Sequence, residues 1–254
     1  MIRVEHIDKS FNQKPVLRDV SVDVFDGETL AIIGRSGSGK SVLMKHLIGL
    51  LKPDSGRVLV DEVDINRISY GELRKIRQQF GVLFQGGALF DSMSSFENVA
   101  FPLRTFTHRS EAEIRRDVEE CLTMVQLPDV GPKMPPELSG GMQKRVALAR
   151  AIALRPRYIL YDEPTSGLDP ETSNTIDVLI KSLADQLNVT SIVVTHDMHS
   201  VLSIADRAAF IHEGRIHWVG SIEDLHESDN EILRAFVKAN EYQIGMAHPA
   251  RPAV

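Results

Sequence analysis

The sequence predicts an α/β fold built on a parallel sheet, with a mostly helical lobe inserted into it, and three observations predict this. Short continuous apolar runs at Thr29–Ile33, Phe80–Phe84, Tyr158–Tyr161 and Ser191–Val194 read as strands covered on both faces, since a strand with one face in water alternates instead. A glycine-rich turn leads from the first run into Val42, Leu43, Met44, Leu47 and Ile48, apolar at helical spacing, which gives strand, loop and helix. From Glu111 to Leu154 the periodicity is helical and no strand pattern intervenes.

Taken in order, Val22-Asp23-Val24 alternates as a strand does and Asp26-Gly27 ends it. Ile114, Val118, Cys121, Leu122 and Val125 place a helix over 111–126, and the proline-rich stretch 128–136 separates it from a second helix over 141–154. Arg155-Pro156 stops that helix, because the residue before proline leaves the helical region. A helix over 170–187 has Asp169 as its N-cap and Pro170 in its first position. Ala208–Ile211, Glu213-Gly214 and Arg215–Trp218 read as a hairpin. A helix is expected near 230–240, and 241–254, rich in Pro and Ala, is expected to lack regular structure. The division is 1–87 and 157–228 for the α/β core, 88–156 for the helical lobe and 229–254 for a C-terminal helix and tail, within one nucleotide-binding domain.

Composition narrows the classes. The chain has 254 residues, 43% of them hydrophobic, and a net charge of −6 with mixed signs throughout. That is enough apolar content for a core and gives no broad basic footprint, so no nucleic-acid partner is expected. Cys121 is the single cysteine, which excludes an intrachain disulfide and fits a reducing compartment. No run approaches the ~18 uncharged apolar residues of a membrane span, and the start, Met1-Ile2-Arg3-Val4-Glu5, lacks the pattern of a signal peptide. A soluble chain is expected, with any membrane role supplied by a partner.

Gly34-Arg35-Ser36-Gly37-Ser38-Gly39-Lys40-Ser41 fits G-x-x-x-x-G-K-S in the strand–loop–helix context that pattern needs. Glycines let successive backbone N–H groups point at phosphate oxygens, and the helix that follows adds its positive end. Lys40 would reach the β- and γ-phosphates of a nucleotide and the Ser41 hydroxyl would take Mg²⁺; this loop alone does not separate a transporter ATPase from a small-molecule kinase or a GTPase, and a second site does. The second site is Tyr158-Ile159-Leu160-Tyr161-Asp162-Glu163, an apolar strand ending in two acids, where α/β folds place ligands. Asp162 suits Mg²⁺ and Glu163, one residue on, suits a general base for water attacking the γ-phosphate. A third segment, Leu138-Ser139-Gly140-Gly141-Met142-Gln143, opens another helix with a hydroxyl and two glycines. The first loop already cradles the phosphates of its own ATP. The third segment is therefore expected to meet the ATP of another copy, in a two-fold dimer with ATP at the interface.

These motifs together resemble the ATP-binding subunits of ABC transporters, over nearly the whole chain. The ordered set is Walker A at Gly34–Ser41, the Q-loop glutamine Gln85, the signature Leu138–Gln143, Walker B at Tyr158–Glu163, the D-loop Ser166–Asp169 and the switch histidine His196. The resemblance implies a P-loop NTPase core with an N-terminal antiparallel β region. It implies that Phe11 stacks on adenine, that Val42 belongs with the Walker A residues at the nucleotide, and that Ser139, Gly140, Gly141 and Gln143 contact the partner's ATP. It further implies that Gln85 contacts Mg²⁺ and senses the membrane partner, that Asp169 meets the other protomer, and that His196 bonds the γ-phosphate. Taken alone, Phe11 would be a core residue and His196 a structural histidine; their places in the ordered set reverse both readings.

The stretch Gln85–Leu103 is similar to ATPases of the Mla type, which maintain lipid asymmetry. That similarity implies a permease pair, an MCE lipid-binding subunit and a small STAS-domain subunit, with the chain bound peripherally on the cytoplasmic face of the inner membrane. An amino-acid or other small-solute importer is the alternative. A ribosome-acting relative would carry two such cassettes, and a DNA-acting one a long coiled coil between Ser41 and Leu138; neither is present. Glu163 and His196 argue against an inactive binding module. The apolar segment Ala88–Phe101 is expected to form a groove for a permease helix, with Leu89 as an exposed wall.

Overall fold

The computed structural model describes residues 1–225 and 227–246, the last of these, 241–246, by backbone alone. Strands β1 (Ile2–Phe11) and β2 (Lys14–Val24) pair antiparallel. Val20, Val22 and Val24 alternate inward as the period of two requires. Then come β3 (Thr29–Ile33), α1 (Lys40–Leu47), β4 (Ser55–Val60), β5 (Val63–Asp64), α2 (Tyr70–Arg77) and β6 (Phe80–Leu83). Helices α3 (Ser95–Phe106), α4 (Glu111–Met124) and α5 (Gly140–Ile152) make the lobe. The chain returns through β7 (Tyr158–Asp162), α6 (Pro170–Leu187), β8 (Thr190–Thr195), α7 (Met198–Ile204), β9 (Arg207–His212), β10 (Arg215–Ser221) and α8 (Glu231–Met246).

Two sheets result. The N-terminal sheet has the order β2-β1-β4-β5, all antiparallel. The second has the order β10-β9-β3-β8-β7-β6, parallel except for the β9–β10 hairpin. Its central strands are buried throughout, and alternate residues go to different cores. Leu30, Ile32, Leu160 and Val194 meet α1 and the N-terminal sheet. Ile159, Tyr161 and Val193 meet α6 and the three lobe helices. Ala31 and Ile33 meet α7 and α8. The lobe thus shares its core with one face of the sheet.

Local chemistry sets the helix starts. Ser69 with Glu72, Ser94 with Glu97 and Ser110 with Glu113 each form a reciprocal capping box, at the first turns of α2, α3 and α4. Helices α2 and α3 are absent from the sequence reading, although the same S-x-x-E spacing announces both. Asp169 caps α6 through the Thr172 N–H, with Pro170 following, as expected. Cys121 is buried on α4, where burial pushes its thiol up to about 11. The C-terminal expectation needs correction. Helix α8 continues to Met246 rather than stopping near 240, since no proline interrupts the chain from Glu231 until Pro249; Leu233, Phe236 and Val237 anchor its first turns against Phe210 and α7. The rest of the expected tail, 247–254, lies outside the described residues.

Candidate functional site

Strand order brings the chemistry together. Strands β3, β8 and β7 lie side by side and parallel, so the segments after Ile33, Thr195 and Asp162 leave the same sheet edge. The loop after β3 begins at Gly34, where a Cβ would lie 2.2 Å from the Ile211 carbonyl oxygen. No larger residue fits, and the loop is thereby held against β9. Arg35, Ser36 and Gly37 are exposed, while Ser38, Gly39 and Lys40 are buried. The Ser38 hydroxyl is buried with no partner among the described residues. Val42 instead packs against the core between the sheets.

Lys40 Nζ donates to the carbonyls of Gly34 at 2.9 Å and Arg35 at 3.2 Å. It lies 3.7 Å from Glu163 Oε1. Burial lowers its pKa, and the Glu163 charge opposes that shift. The lysine is thus folded back into the loop where phosphates would draw it outward. Ser41 Oγ donates to Asp162 Oδ1 at 3.2 Å. Burial raises the Asp162 pKa, more than the Ser41 hydrogen bond lowers it, and the neighbouring Glu163 charge raises it further. A hydroxyl beside such a carboxylate is a donor set for a hard cation, which would stabilise the ionised acid. The residues fit Mg²⁺.

Glu163 turns the chain with φ of 48°, a left-handed conformation unusual for a side chain of its size. Its N–H is fixed on the Val194 carbonyl at 2.8 Å. The carboxylate then faces His196, whose Nδ1 lies 2.9 Å from Glu163 Oε2. Thr195 Oγ1 donates to the same oxygen at 3.5 Å. The acid is 14% exposed and the imidazole 53%, so the pair opens to solvent on the histidine side.

Other expected residues sit differently. Phe11 ends β1 and is 41% exposed, with Lys9 Nζ 5.6 Å from its ring centroid; it is a free face and not a core residue. Gln85 does not touch the Ser41–Asp162 pair: its amide donates to Ser166 Oγ at 3.3 Å. Gln143 departs from expectation. Its amide is spent on the carbonyls of Pro135 and Leu138 at 3.0 and 3.2 Å, which ties the loop before α5 to the helix. Asp169 gives both carboxylate oxygens to Thr172, at 3.0 Å to the N–H and 2.6 Å to the hydroxyl. Ser139 caps α5, accepting from the Met142 N–H at 3.3 Å.

The glycines of the signature also need a second explanation. A Cβ on Gly141 would fall 2.3 Å from Thr172 Cγ2 on α6. That glycine is required by helix packing within the chain, before any partner is considered. Gly140 has ordinary room, 3.7 Å from Leu168.

Two cations on α5 escaped the sequence reading. Lys144 Nζ donates to the carbonyls of Pro164 and Ser166, both at 2.7 Å, and so holds the D-loop. Arg150 donates to the carbonyls of Gly87 and Ala88, both at 2.8 Å, and so holds the segment after Gln85. Charged residues on the buried face of an apolar helix were the available signal. Beside Arg150 opens a groove of about 520 Å³, lined by Phe84, Ala88, Phe90, Phe101, Pro102 and Phe106, with Arg74 and Arg77 among its polar residues. Leu89 is not its wall. That side chain is half-buried against the lobe core, because left-handed Ala88 (φ of 50°) turns the chain there.

A glycine-rich loop of the G-x-x-x-x-G-K-S pattern, an acid pair and a histidine converge on one sheet edge, the arrangement of a P-loop ATPase. The comparisons agree. The chain belongs to the ABC transporter family, whose profile matches residues 17–166. It is 42% identical to the Haemophilus influenzae intermembrane phospholipid transport system ATP-binding protein MlaF, over 100% of this chain and 97% of that one. It is also 42% identical to a Mycobacterium leprae probable ribonucleotide transport ATP-binding protein, mkl, over 97% of this chain and 71% of the relative. A Clostridioides difficile methionine import ATP-binding protein, MetN, is 37% identical over 93% of this chain and 74% of its own length. Among solved structures, the dimeric post-hydrolysis cassette MJ0796 bound to ADP and Pi superposes with a TM-score of 0.80 at 33% identity, covering 87% of this chain and 99% of that one. The chain is an ATP-hydrolysing subunit of a transporter. Among the described residues no helix is long and apolar enough to cross a membrane.

Proposed function

We propose that the chain hydrolyses ATP as a two-fold homodimer to drive phospholipid movement through a pair of membrane permease subunits. The observation that carries the catalytic part is the meeting of Lys40, Glu163 and His196 at the edge shared with the Ser41–Asp162 pair. Backbone N–H groups of Gly34–Ser41 bind the phosphates and Phe11 stacks on adenine. Ser41 and Asp162 would hold Mg²⁺, with Gln85 joining them if released from Ser166, and the ion would supply charge neutralisation at the phosphates. Lys40 moves from the loop carbonyls to the γ-phosphate. Glu163 Oε2 takes the proton of the attacking water, and His196 orients the γ-phosphate from the other side. Ser139 and the N–H groups of Gly140 and Gly141 close over the partner's ATP, with Asp169 beside them; that the similar MJ0796 cassette is dimeric supports this reading.

Near full-length similarity to MlaF supports the lipid reading. The similarity to MetN favours a small-solute importer as the second reading. On the lipid reading the partners include an MCE lipid-binding subunit and a STAS-domain subunit, and the chain sits on the cytoplasmic face of the inner membrane. The phenylalanine-lined groove receives a short permease helix, with apolar anchors supplying most of the energy.

Two measurements test this. Glu163→Gln keeps shape and removes the base, so hydrolysis should fall on the order of 10²–10⁴-fold with ATP still bound; near-normal turnover would refute the assignment. The complex purified from membranes should contain phospholipid by mass spectrometry, and its ATPase should respond to phospholipid vesicles. A response to an amino acid instead would select the importer.

A further inference from the structure

Behind the proposed site lies a buried polar chain that none of the motifs includes. Asp177 is on α6, at the start of its third turn, and is 1% exposed. Its Oδ2 accepts from Ser200 Oγ on α7 at 2.8 Å. Its Oδ1 is buried with no partner among the described residues. Ser200 has two further neighbours. Thr165 Oγ1, in the loop after Glu163, is 3.3 Å away, and Asp197 Oδ2, next to His196, is also 3.3 Å away.

The chain continues to the acid of the site. The Asp197 N–H donates to Thr195 Oγ1 at 3.0 Å, and that hydroxyl is the one facing Glu163 Oε2. Asp197 Oδ1 meanwhile accepts from the His199 N–H at 2.9 Å, so the first turn of α7 hangs on the same carboxylate. A buried carboxylate with an orphan oxygen is a standing cost to the fold. An apolar residue would fill the place without it. The surrounding contacts are what such a cost would serve.

We propose that Asp177 is a positioning residue for ATP hydrolysis, which through Ser200 locks the Thr165 loop and the Asp197–His196 segment in register with Glu163. The proposal rests on the roles given above to Glu163 and His196. Ser200 has one hydroxyl proton and three oxygen neighbours. With Asp177 ionised, that proton goes to Asp177, and Thr165 donates to Ser200; one hydrogen-bonded line then joins the loop to α6. With Asp177 protonated, the carboxyl donates to Ser200, whose proton turns to Asp197 and pulls on the switch segment. Burial pushes Asp177 up to about 6, the Ser200 hydrogen bond opposes that, Asp197 adds to it and His199 reduces it. On α5, Lys144 is committed to the Pro164 and Ser166 carbonyls.

The test is steady-state ATPase of the full chain at saturating Mg-ATP from pH 5.5 to 8.5, for the parent, Asp177→Asn and Ser200→Ala. At pH 8, Asp177→Asn should lower kcat by roughly 3–10-fold with KM for ATP within about twofold, in keeping with a lost orienting contact. The ratio of parent to Asp177→Asn kcat cancels every group the two proteins share. It should approach 1 below pH 6 and rise to its plateau above it. Thermal unfolding should show Asp177→Asn at least as stable as the parent. A ratio of 1 at every pH, or a ratio above 1 that ignores pH, would overturn the proposal, the latter marking a purely structural defect. If Asp177→Asn does not fold, Ser200→Ala decides: the same kcat loss at unchanged KM supports the link, and unchanged kcat defeats it. Glu163→Gln in the same assay separates the two readings. If it is fully active the site assignment fails; if it is inactive while Asp177→Asn behaves as the parent, only the positioning role fails.

Discussion

Burial raises the Asp177 carboxyl to about 6, above the value it regains in the unfolded chain, and the sign of the pH effect follows. Between those two values the folded protein binds more protons than the unfolded one. Stability therefore falls as pH rises through that window, and the cost is fully present above about 6. A shift of this size corresponds to on the order of 2–3 kcal/mol. Asp177→Asn should recover part of it at pH 7.5, by about 1–3 kcal/mol in urea unfolding, and nothing at pH 4. Glu163 is the residue-scale counterpart at the site. Its left-handed backbone stores strain that a glycine would relieve, yet a glycine would remove the carboxylate that lies beside both Lys40 and His196. Gln143 and Asp169 were legible as members of a motif. Their side-chain partners were not, because a glutamine or aspartate names no acceptor until the loop or helix end beside it is folded.

Where α5 docks on α6, Gly141 and Thr172 come especially close, and the contact makes a sharp prediction. Gly141→Ala places a methyl 2.3 Å from Thr172 Cγ2. Thr172 cannot rotate cheaply, since its hydroxyl is held by Asp169 at 2.6 Å. The variant should lose about 1–3 kcal/mol of stability. Thr172→Ser removes the clashing methyl and keeps the hydroxyl, so the double variant should recover most of the loss; additive losses in thermal melts would contradict the contact. The groove makes the second prediction at this scale. Phe90 is exposed, packs its ring 5.0 Å from that of Phe101 and lines the cavity. Phe90→Glu should leave ATP binding and folding intact and abolish co-purification with the permease. Retained association after charges at Phe90 and Phe101 would place the partner elsewhere. The segment's apolar character was readable in sequence, but which side faces outward depends on the turn at Ala88 and the grip of Arg150.

For the whole molecule, the expected assembly is a dimer with two shared sites. ATP should shift Glu163→Gln protein from monomer to dimer by light scattering, because binding persists while hydrolysis is blocked. Mixing a Lys40→Ala chain with a Ser139→Ala chain should leave one intact composite site and one doubly broken one. Activity should return only in the mixture. A strictly monomeric protein with full activity would exclude the shared site. The C-terminal helix is set by tertiary contact as well. Its apolar residues Leu233, Phe236 and Val237 close the face of the sheet over Ala31 and Phe210, and Phe236→Ala should cost about 3–5 kcal/mol.

The sequence by itself determined what depends on neighbours along the chain. Gly34–Ser41 forms a glycine-rich turn between a strand and a helix, the apolar runs become buried strands, Ser-x-x-Glu starts helices, and Asp162-Glu163 ends a strand with acids; each is chemistry within a few residues. Only the tertiary structure decided what those pieces meet. The order β3-β8-β7 sets His196 against Glu163 across the sheet edge, the close approach of α5 and α6 demands Gly141, and the packing of α6 on α7 joins Asp177 to Ser200 and Thr165. Those pairings are set by strand order and helix packing, which arise from burying the whole apolar surface at once. No local window of sequence contains that sum.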